Sequence, residues 1–421
     1  MRAGWILVLI LFPCLVFAGR VRFVVFPDTV SITITNEEFT NRTFKAGQEY
    51  VLPDGNYTAI IENEGYYPKA IDFVSGRRRV TVEEKLEKRY DGLRLVKEVK
   101  TASQPKSVVF LDETRFLVNH LNDTYLEIHS INSTNLITLK VPENFARAKG
   151  FVEGLVDWEQ NEIFVSQMTR NCVHIFDATT GEYKTNMSAK GVWTKVIAKN
   201  CKYLFFSNWT SEDVAIFDRF TKEFVGKVKT AGIPRGMSAT PDGKYLYVAV
   251  FSDSIVQKID LENMKVEKTF RLSPRKGAAR HIVMDEARGF IYVSDMGRAE
   301  VFKVDMRTDE VVGSVKVYSK PNTIAISPDG RTVFVSSRAP NGNQGYLYKS
   351  ATFGQVQVID TDAMEVTGWV WGRNQTTGLG ISPDGKFLAA SDFLDANVGV
   401  YRIFAGLIRA VYDDNPPERI R

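Results

Sequence analysis

Basic residues recur at one place in this sequence. Lys106, Arg235 and Arg280 each stand one residue inside an apolar strand signal, near Pro105, Pro234 and Ala279. Ammonium and guanidinium groups gathered at one point would bind carboxylate or phosphate, the guanidinium forks in bidentate fashion. Another copy of the same signal puts Trp193 at that place, and the next position along adds Glu153 and His281. Asn208, Asp295 and Asp392 close the strands that follow. Together these residues read as a funnel for an anionic or sugar-like ligand. They read equally well as polar groups that solvate a wet channel and cap strand ends. A register error of one residue would exchange Arg280 for His281.

Catalytic signatures are thin. The sequence carries no Gly-x-Ser-x-Gly elbow, no His-Glu-x-x-His helix and no paired-cysteine metal motif. Glu153, Asp295 and Asp392 near His120 and His281 could supply a general base or hold a divalent metal. They form no ligand triad, so we assign no catalytic residue, no metal ligand and no cofactor.

The elements that position these residues are repeated strands. Ala239-Thr240-Pro241-Asp242-Gly243, Ile326-Ser327-Pro328-Asp329-Gly330 and Ile381-Ser382-Pro383-Asp384-Gly385 each join two apolar strands. Pro presets φ, Asp bonds its own backbone and Gly takes the left-handed position of a tight turn. A third strand ending in Asp and a fourth alternating run complete the unit. Seven copies follow, with first strands near Pro105, Phe151, Val192, Pro234, Ala279, Pro321 and Thr376. Their period is close to the ~40–45 residues of a four-stranded propeller blade. The last copy shows three clear strands, and we expect 93–99 to close it as the outer strand, with Leu407 to Tyr412 as competitor. The long sixth spacing places an insertion at Arg338 to Gly354, carrying Tyr346 and Tyr348 on the same face as the funnel.

These repeats resemble the bacterial and archaeal YVTN family of seven-bladed β-propellers. The named tetrapeptide corresponds to Phe205-Phe206-Ser207-Asn208, Tyr292-Val293-Ser294-Asp295 and their counterparts, and none is a literal match. Residues 20–88 lack the blade period but alternate, as in Ser31-Ile32-Thr33-Ile34-Thr35. Leu52-Pro53-Asp54-Gly55-Asn56-Tyr57 followed by Glu64-Gly65-Tyr66-Tyr67-Pro68 resembles the PEGA domain, a small β-sandwich of bacterial envelope proteins. The fold class is therefore all-β, a seven-bladed β-propeller over 89–412 preceded by a small β-sandwich, with a loose tail at 413–421. The resemblance implies an extracytoplasmic binding or scaffold protein. Its partner would be an envelope protein, a polysaccharide or a small anionic ligand. The related propeller lactonases imply a channel hydrolase as the alternative, with a divalent metal in the channel as its form of cofactor.

Composition sets the outer bounds. The 421 residues carry 54 basic and 50 acidic side chains, so bulk charge gives no argument for nucleic acid, which ranks last among the readings. Residues 1–18, with an apolar run from Trp5 to Phe17, read as a secretory signal cleaved before Gly19, in preference to a lipoprotein signal at Cys14. That leader places the protein in the periplasm, the cell envelope or the medium, with no span after cleavage, and we expect a monomer. Cys172 and Cys201 fall at opposite ends of their strands, too far apart to bridge.

Overall fold

The computed structural model describes residues 18–36, 42–63, 66, 69–86, 92–341, 345–349 and 352–404. The expected leader up to residue 17, the stretch Leu407 to Tyr412 and the tail at 413–421 lie outside the described residues. The chain divides into two compact units, Met1–Arg89 and Tyr90–Arg421.

In the first unit, Ala18–Phe26 is the middle strand of a three-stranded sheet, antiparallel to Glu49–Pro53 and parallel to Val80–Lys85. A second sheet runs in the order Arg42–Lys45, Ser31–Thr35, Gly55–Glu62, Lys69–Ser75. Period-two alternation turns one face of each inward. Val21, Phe23 and Val25 from the first sheet share a core with Ile32, Ile34, Tyr57, Ala59 and Ile61 from the second. Phe73 joins them, edge-on to Phe23 and stacked on Tyr57.

The second unit holds seven four-stranded sheets among the described residues. Their innermost strands are Pro105–Phe110, Phe151–Asp157, Thr194–Lys199, Pro234–Ala239, Ala279–Asp285, Pro321–Ile326 and Thr376–Ile381. Each inner strand neighbours the next, and the seventh neighbours the first, so the cycle is closed. The first six sheets are runs of consecutive antiparallel hairpins. The seventh takes its outer strand from the start of the unit: Leu93–Lys100 pairs antiparallel with Asn397–Ile403. The first and last described strands of this unit thus share one sheet.

Local chemistry explains the hairpins. Gly243, Gly330 and Gly385 have φ of 79°, 72° and 70°, where a side chain would be strained. The Asp before each accepts two bonds, from the hydroxyl of Thr240, Ser327 or Ser382 and from the N–H of Lys244, Arg331 or Lys386. At the end of the third strand Asp177, Asp218, Asp260 and Asp360 each accept two backbone N–H groups of the following turn.

A second device faces the middle of the cycle. Every inner strand carries a β-bulge just after its first residue, as when Phe151 and Gly154 pair with Gln167 and Val165. The bulge frees one or two residues from the ladder and re-aims their side chains. A serine from the second strand ties it down. Ser166, Ser207, Ser294, Ser336 and Ser391 accept the bulge N–H of Glu153, Val196, His281, Thr323 and Gly378. Four of them also donate to a carbonyl on the next inner strand: Lys195, Asn322, Thr377 and Pro105. Replacing Ser336 by Ala would leave the Thr323 N–H and the Thr377 carbonyl without this partner in a dry position. We expect a loss of about 1–3 kcal/mol in urea unfolding, with Ser188→Ala, on an outer strand, as the near-neutral control.

Candidate functional site

Bulge positions from separate sheets converge on one narrow recess inside the cycle of inner strands, with about 10 Å³ of accessible space. It is lined by Lys106, Glu153, Val196, Arg235, Arg280, His281, Asn322 and Thr323. Five of the residues singled out from the sequence therefore meet here: Lys106, Glu153, Arg235, Arg280 and His281. Each stands one or two residues into its inner strand, where the bulge interrupts the ladder.

Charge in this recess is unbalanced. Arg235 and Arg280 are 5% and 7% exposed, yet Glu153 is the sole carboxylate among the cavity-lining residues. Arg280 is held by Asn322, whose Oδ1 accepts from its Nε and whose amide donates to the Thr377 carbonyl at 2.8 Å. Arg235 Nη1 and His281 Nδ1 are buried without a hydrogen-bond partner.

The titration behaviour follows from that crowding. Burial pushes Lys106 well below the usual lysine range, and the Arg280, Arg338, Arg235 and Lys195 charges push it further. Burial, then Arg235 and Arg280, bring Lys195 down to about 6. The Arg235 guanidinium is brought down to about 10 by burial, with Glu153 opposing, and Arg280 is lowered strongly for the same first reason. Burial and the two arginines hold His281 neutral, at about 3. Glu153 is raised to about 7 by burial, against the pull of Arg235, Lys106 and Arg280.

Rings back these cations. Lys195 Nζ lies 3.8 Å from the Trp209 ring centre, and Arg235 is 5.7 Å from the same ring. Arg280 is 5.7 Å from Phe251, and Lys106 is 5.3 Å from Phe393. Trp209, Phe251 and Phe393 all occupy the first position after a second strand. Such contacts contribute about 0.5–2 kcal/mol each and hold long side chains in place without neutralising them.

The remaining sequence-selected residues lie elsewhere. Trp193 precedes its inner strand, which begins at Thr194 and not near Val192. Its φ is 65°, its ring is exposed, and its N–H donates to Asn171 Oδ1. Asn208, Asp295 and Asp392 turn to the loops leading into the inner strands. Asn208 accepts from Thr194 Oγ1 and donates to Asp213 and the Ala189 carbonyl. Asp295 accepts from the N–H groups of Ala278 and Arg298 and from Ser254 Oγ. Asp392 accepts from the Arg373 N–H and Thr376 Oγ1. His120 stands 3.3 Å from Glu127, which also meets His129 at 3.0 Å. No three His, Cys, Asp or Glu side chains are grouped to hold a metal ion among the described residues. Cys172 is buried and Cys201 exposed, and both are free thiols.

From the insertion, Arg338 reaches the cation cluster electrostatically, since its charge depresses Lys106 and Arg280. It is 8% exposed, donates from Nε to Gln375 Oε1 at 2.7 Å and lies 4.9 Å from the Tyr346 ring. Arg338 Nη2 has no hydrogen-bond partner. Tyr348 is exposed. Lys195 is the residue that sequence reasoning missed. Its signal is the distance back from the end of the second strand: Thr194 pairs with Asn208 fourteen residues on, where Phe151 pairs with Gln167 sixteen on.

Glu153 makes the fold pH-dependent in a definite direction. Its carboxyl is raised from 4.5 to about 7 in the folded chain, so its contribution to stability is present below about 4.5 and is lost as pH rises through 7. Urea unfolding of the wild type and of Glu153→Gln across pH 4–8, in chloride buffers, should show the wild type losing ground to the variant over that window. A constant difference would contradict the assignment.

Residues 184–342 match the model of the YNCE-like beta-propeller family. Among solved structures, the chain is similar to one in the "Crystal Structure of Mitotic Checkpoint Complex" (TM-score 0.62, 13% identity, 75% of this chain and 93% of that one). It is also similar to a chain of "Kuenenia stuttgartiensis Hydrazine Synthase" (TM-score 0.60, 15% identity, 72% and 97%). At these identities the likeness is one of fold, and that fold is a β-propeller. A relative named "6-phosphogluconolactonase" from Formosa agariphila is 22% identical over 239 residues, 49% of this chain and 65% of the relative. "Antigen Lp49" of Leptospira interrogans serogroup Icterohaemorrhagiae serovar copenhageni (strain Fiocruz L1-130) is 40% identical over 316 residues. That alignment spans 73% of this chain and 69% of the antigen, and on it the chain belongs to the family of the Leptospira antigen Lp49.

Proposed function

We propose that this chain is an extracytoplasmic binding protein of the periplasm or cell envelope, which receives an anionic ligand, or the acidic group of a partner, in the channel of its propeller. In this reading the second unit is a seven-bladed YVTN-type ring and the first a PEGA-like sandwich used for envelope attachment or protein contact. The observation that carries it is the buried cation cluster. Arg235, Arg280 and Lys106 share a recess with one carboxylate, the charges of Arg338 and Lys195 reach Lys106, and Arg235 and Arg338 each keep a guanidinium nitrogen unpartnered. Buried charge without a counter-charge is costly, and an incoming anion would relieve it. Kinship with a protein named as an antigen fits a binding or scaffold role.

Hydrolysis of a lactone is the second reading. It is favoured by the presence of Glu153 beside His281 in the same cavity and by the partial similarity to a relative named as a lactonase. Glu153, brought to about 7 by burial, is the group there matched to general-base work at neutral pH, whereas His281 at about 3 is too weak a base.

Thermal unfolding of the full chain in matched ionic strengths of chloride, sulfate, phosphate and citrate tests the binding reading. At least one polyvalent anion should raise the midpoint saturably, as a ligand of the native state does. The rise should vanish in Arg235→Ala/Arg280→Ala, whose circular dichroism should match wild type. An equal rise in the double variant would remove the channel from the proposal.

A further inference from the structure

We propose that the channel site takes an oxyanion basic enough to share a proton near neutral pH, the phosphate and phosphomonoester class, because its cations converge on a single carboxylate able to share that proton. The inference rests on the binding reading above and names its ligand.

The titratable and charged groups of the cluster around Glu153, Lys106, Arg235 and Arg280 come from five other elements of the cycle. Lys106 belongs to the first inner strand, Lys195 to the third, Arg235 to the fourth, Arg280 and His281 to the fifth, and Arg338 follows the second strand of the sixth sheet. The sixth and seventh inner strands contribute Asn322, bound to Arg280 and the Thr377 carbonyl, and Thr377, whose hydroxyl donates to the Gln375 carbonyl. An anion that reaches the unpartnered Nη1 of Arg235 therefore enters the recess that Glu153 also lines.

What it meets there decides its chemistry. A fully deprotonated tetrahedral anion such as sulfate offers only lone pairs, and so does an ionised Glu153. Two such acceptors repel in a recess where little water screens them. A phosphate group has a second ionisation near pH 6, which makes it far more basic than sulfate, so the proton that Glu153 holds near pH 7 can sit between the two as an O–H···O bond. No bond to phosphorus changes and one proton is shared. Charge-assisted bonds of this kind are short and about twice as strong as neutral ones. Burial already brings the Glu153 carboxyl to about 7, close to the phosphate in basicity. The two lysines answer to pH as well, so the discriminating measurement is selectivity between anions and not a pH profile.

The rim separates two sources of the group. Trp209 and Phe251 lie with ring centres 5.0 Å apart beside Arg235 and Arg280, a place for the apolar body of an ester. Isothermal titration of the full chain at pH 7 should use inorganic phosphate, sulfate and phenyl phosphate. Phosphate should bind at least about tenfold more tightly than sulfate, which is roughly 1.4 kcal/mol. A further gain for phenyl phosphate would assign the site to esters, and equal affinity would assign it to the free ion.

Glu153→Gln keeps the side-chain shape and replaces one acceptor oxygen by a donor, so sulfate should bind and the preference should fall to within about threefold. Equal binding of phosphate and sulfate by the wild type, or a preference that survives in Glu153→Gln, would overturn the inference. Either result, with binding still lost in Arg235→Ala/Arg280→Ala, would leave the channel reading standing. Binding of none of the three anions would overturn the inference, and the channel reading would then stand only if citrate raised the unfolding midpoint and lost that effect in Arg235→Ala/Arg280→Ala.

Discussion

A single hydroxyl, repeated around the ring, holds the functional part of this molecule in place. The serine one residue before the end of the second strand accepts the N–H that the bulge removes from the ladder. In four sheets it also donates to the neighbouring inner strand. A bulge left alone would strand a backbone donor in a buried position, at a cost of about 1–3 kcal/mol. With the serine present, the same distortion aims a side chain at the channel and couples adjacent sheets. The two exceptions fit the rule. In the first sheet Asn119 bonds Ser107 instead, and in the fourth Ala249 stands at the serine's place. There the bulge residue is Gly236, whose missing Cβ would lie 2.6 Å from His281 Cα, so close backbone packing substitutes for the hydroxyl.

This geometry explains how so many cations tolerate one another. Each is fixed on a different strand, and the strands are held on both sides by neighbours, so no single element can retreat to relieve the repulsion. Rings from the position after the second strand back the side chains of Lys106, Lys195, Arg235 and Arg280. What gives way is protonation: the two lysines lose affinity for their protons and Glu153 gains it. The site adjusts by moving protons because it cannot move its backbone.

The architecture is legible because its signals are local and repeated. Pro-Asp-Gly turns, Asp-terminated third strands and alternating runs recur at one period, and each has its own physical cause in the structure. Lys106, Glu153, Arg235, Arg280 and His281 can be found by counting one or two residues into each inner strand. Lys195 escaped that count because its hairpin is shorter: Asn200 accepts from the N–H groups of Lys202 and Tyr203 in a tight turn, and Trp193 is thrown out ahead of the strand. Asn208, Asp295 and Asp392 were assigned from their strand ends alone. Their side chains are taken by N–H and hydroxyl groups of the loops that lead into the inner strands, a demand that no strand pattern reveals. Ion pairing across sheets is equally silent in sequence, as with Asp157 and Arg219, whose Nε and Nη2 donate to the carboxylate at 2.6 and 2.5 Å.

Composition hides the cluster for a related reason. The chain is nearly neutral overall, and its five channel cations come from segments between Lys106 and Arg338 that meet only when the ring closes. Charge of that kind is a property of topology. Each cation by itself would be an ordinary strand residue near a turn, solvated at little cost. In the closed cycle, where the seventh inner strand neighbours the first, they lie together and out of water. The basic recess is therefore a product of the closed fold, and no single strand carries it.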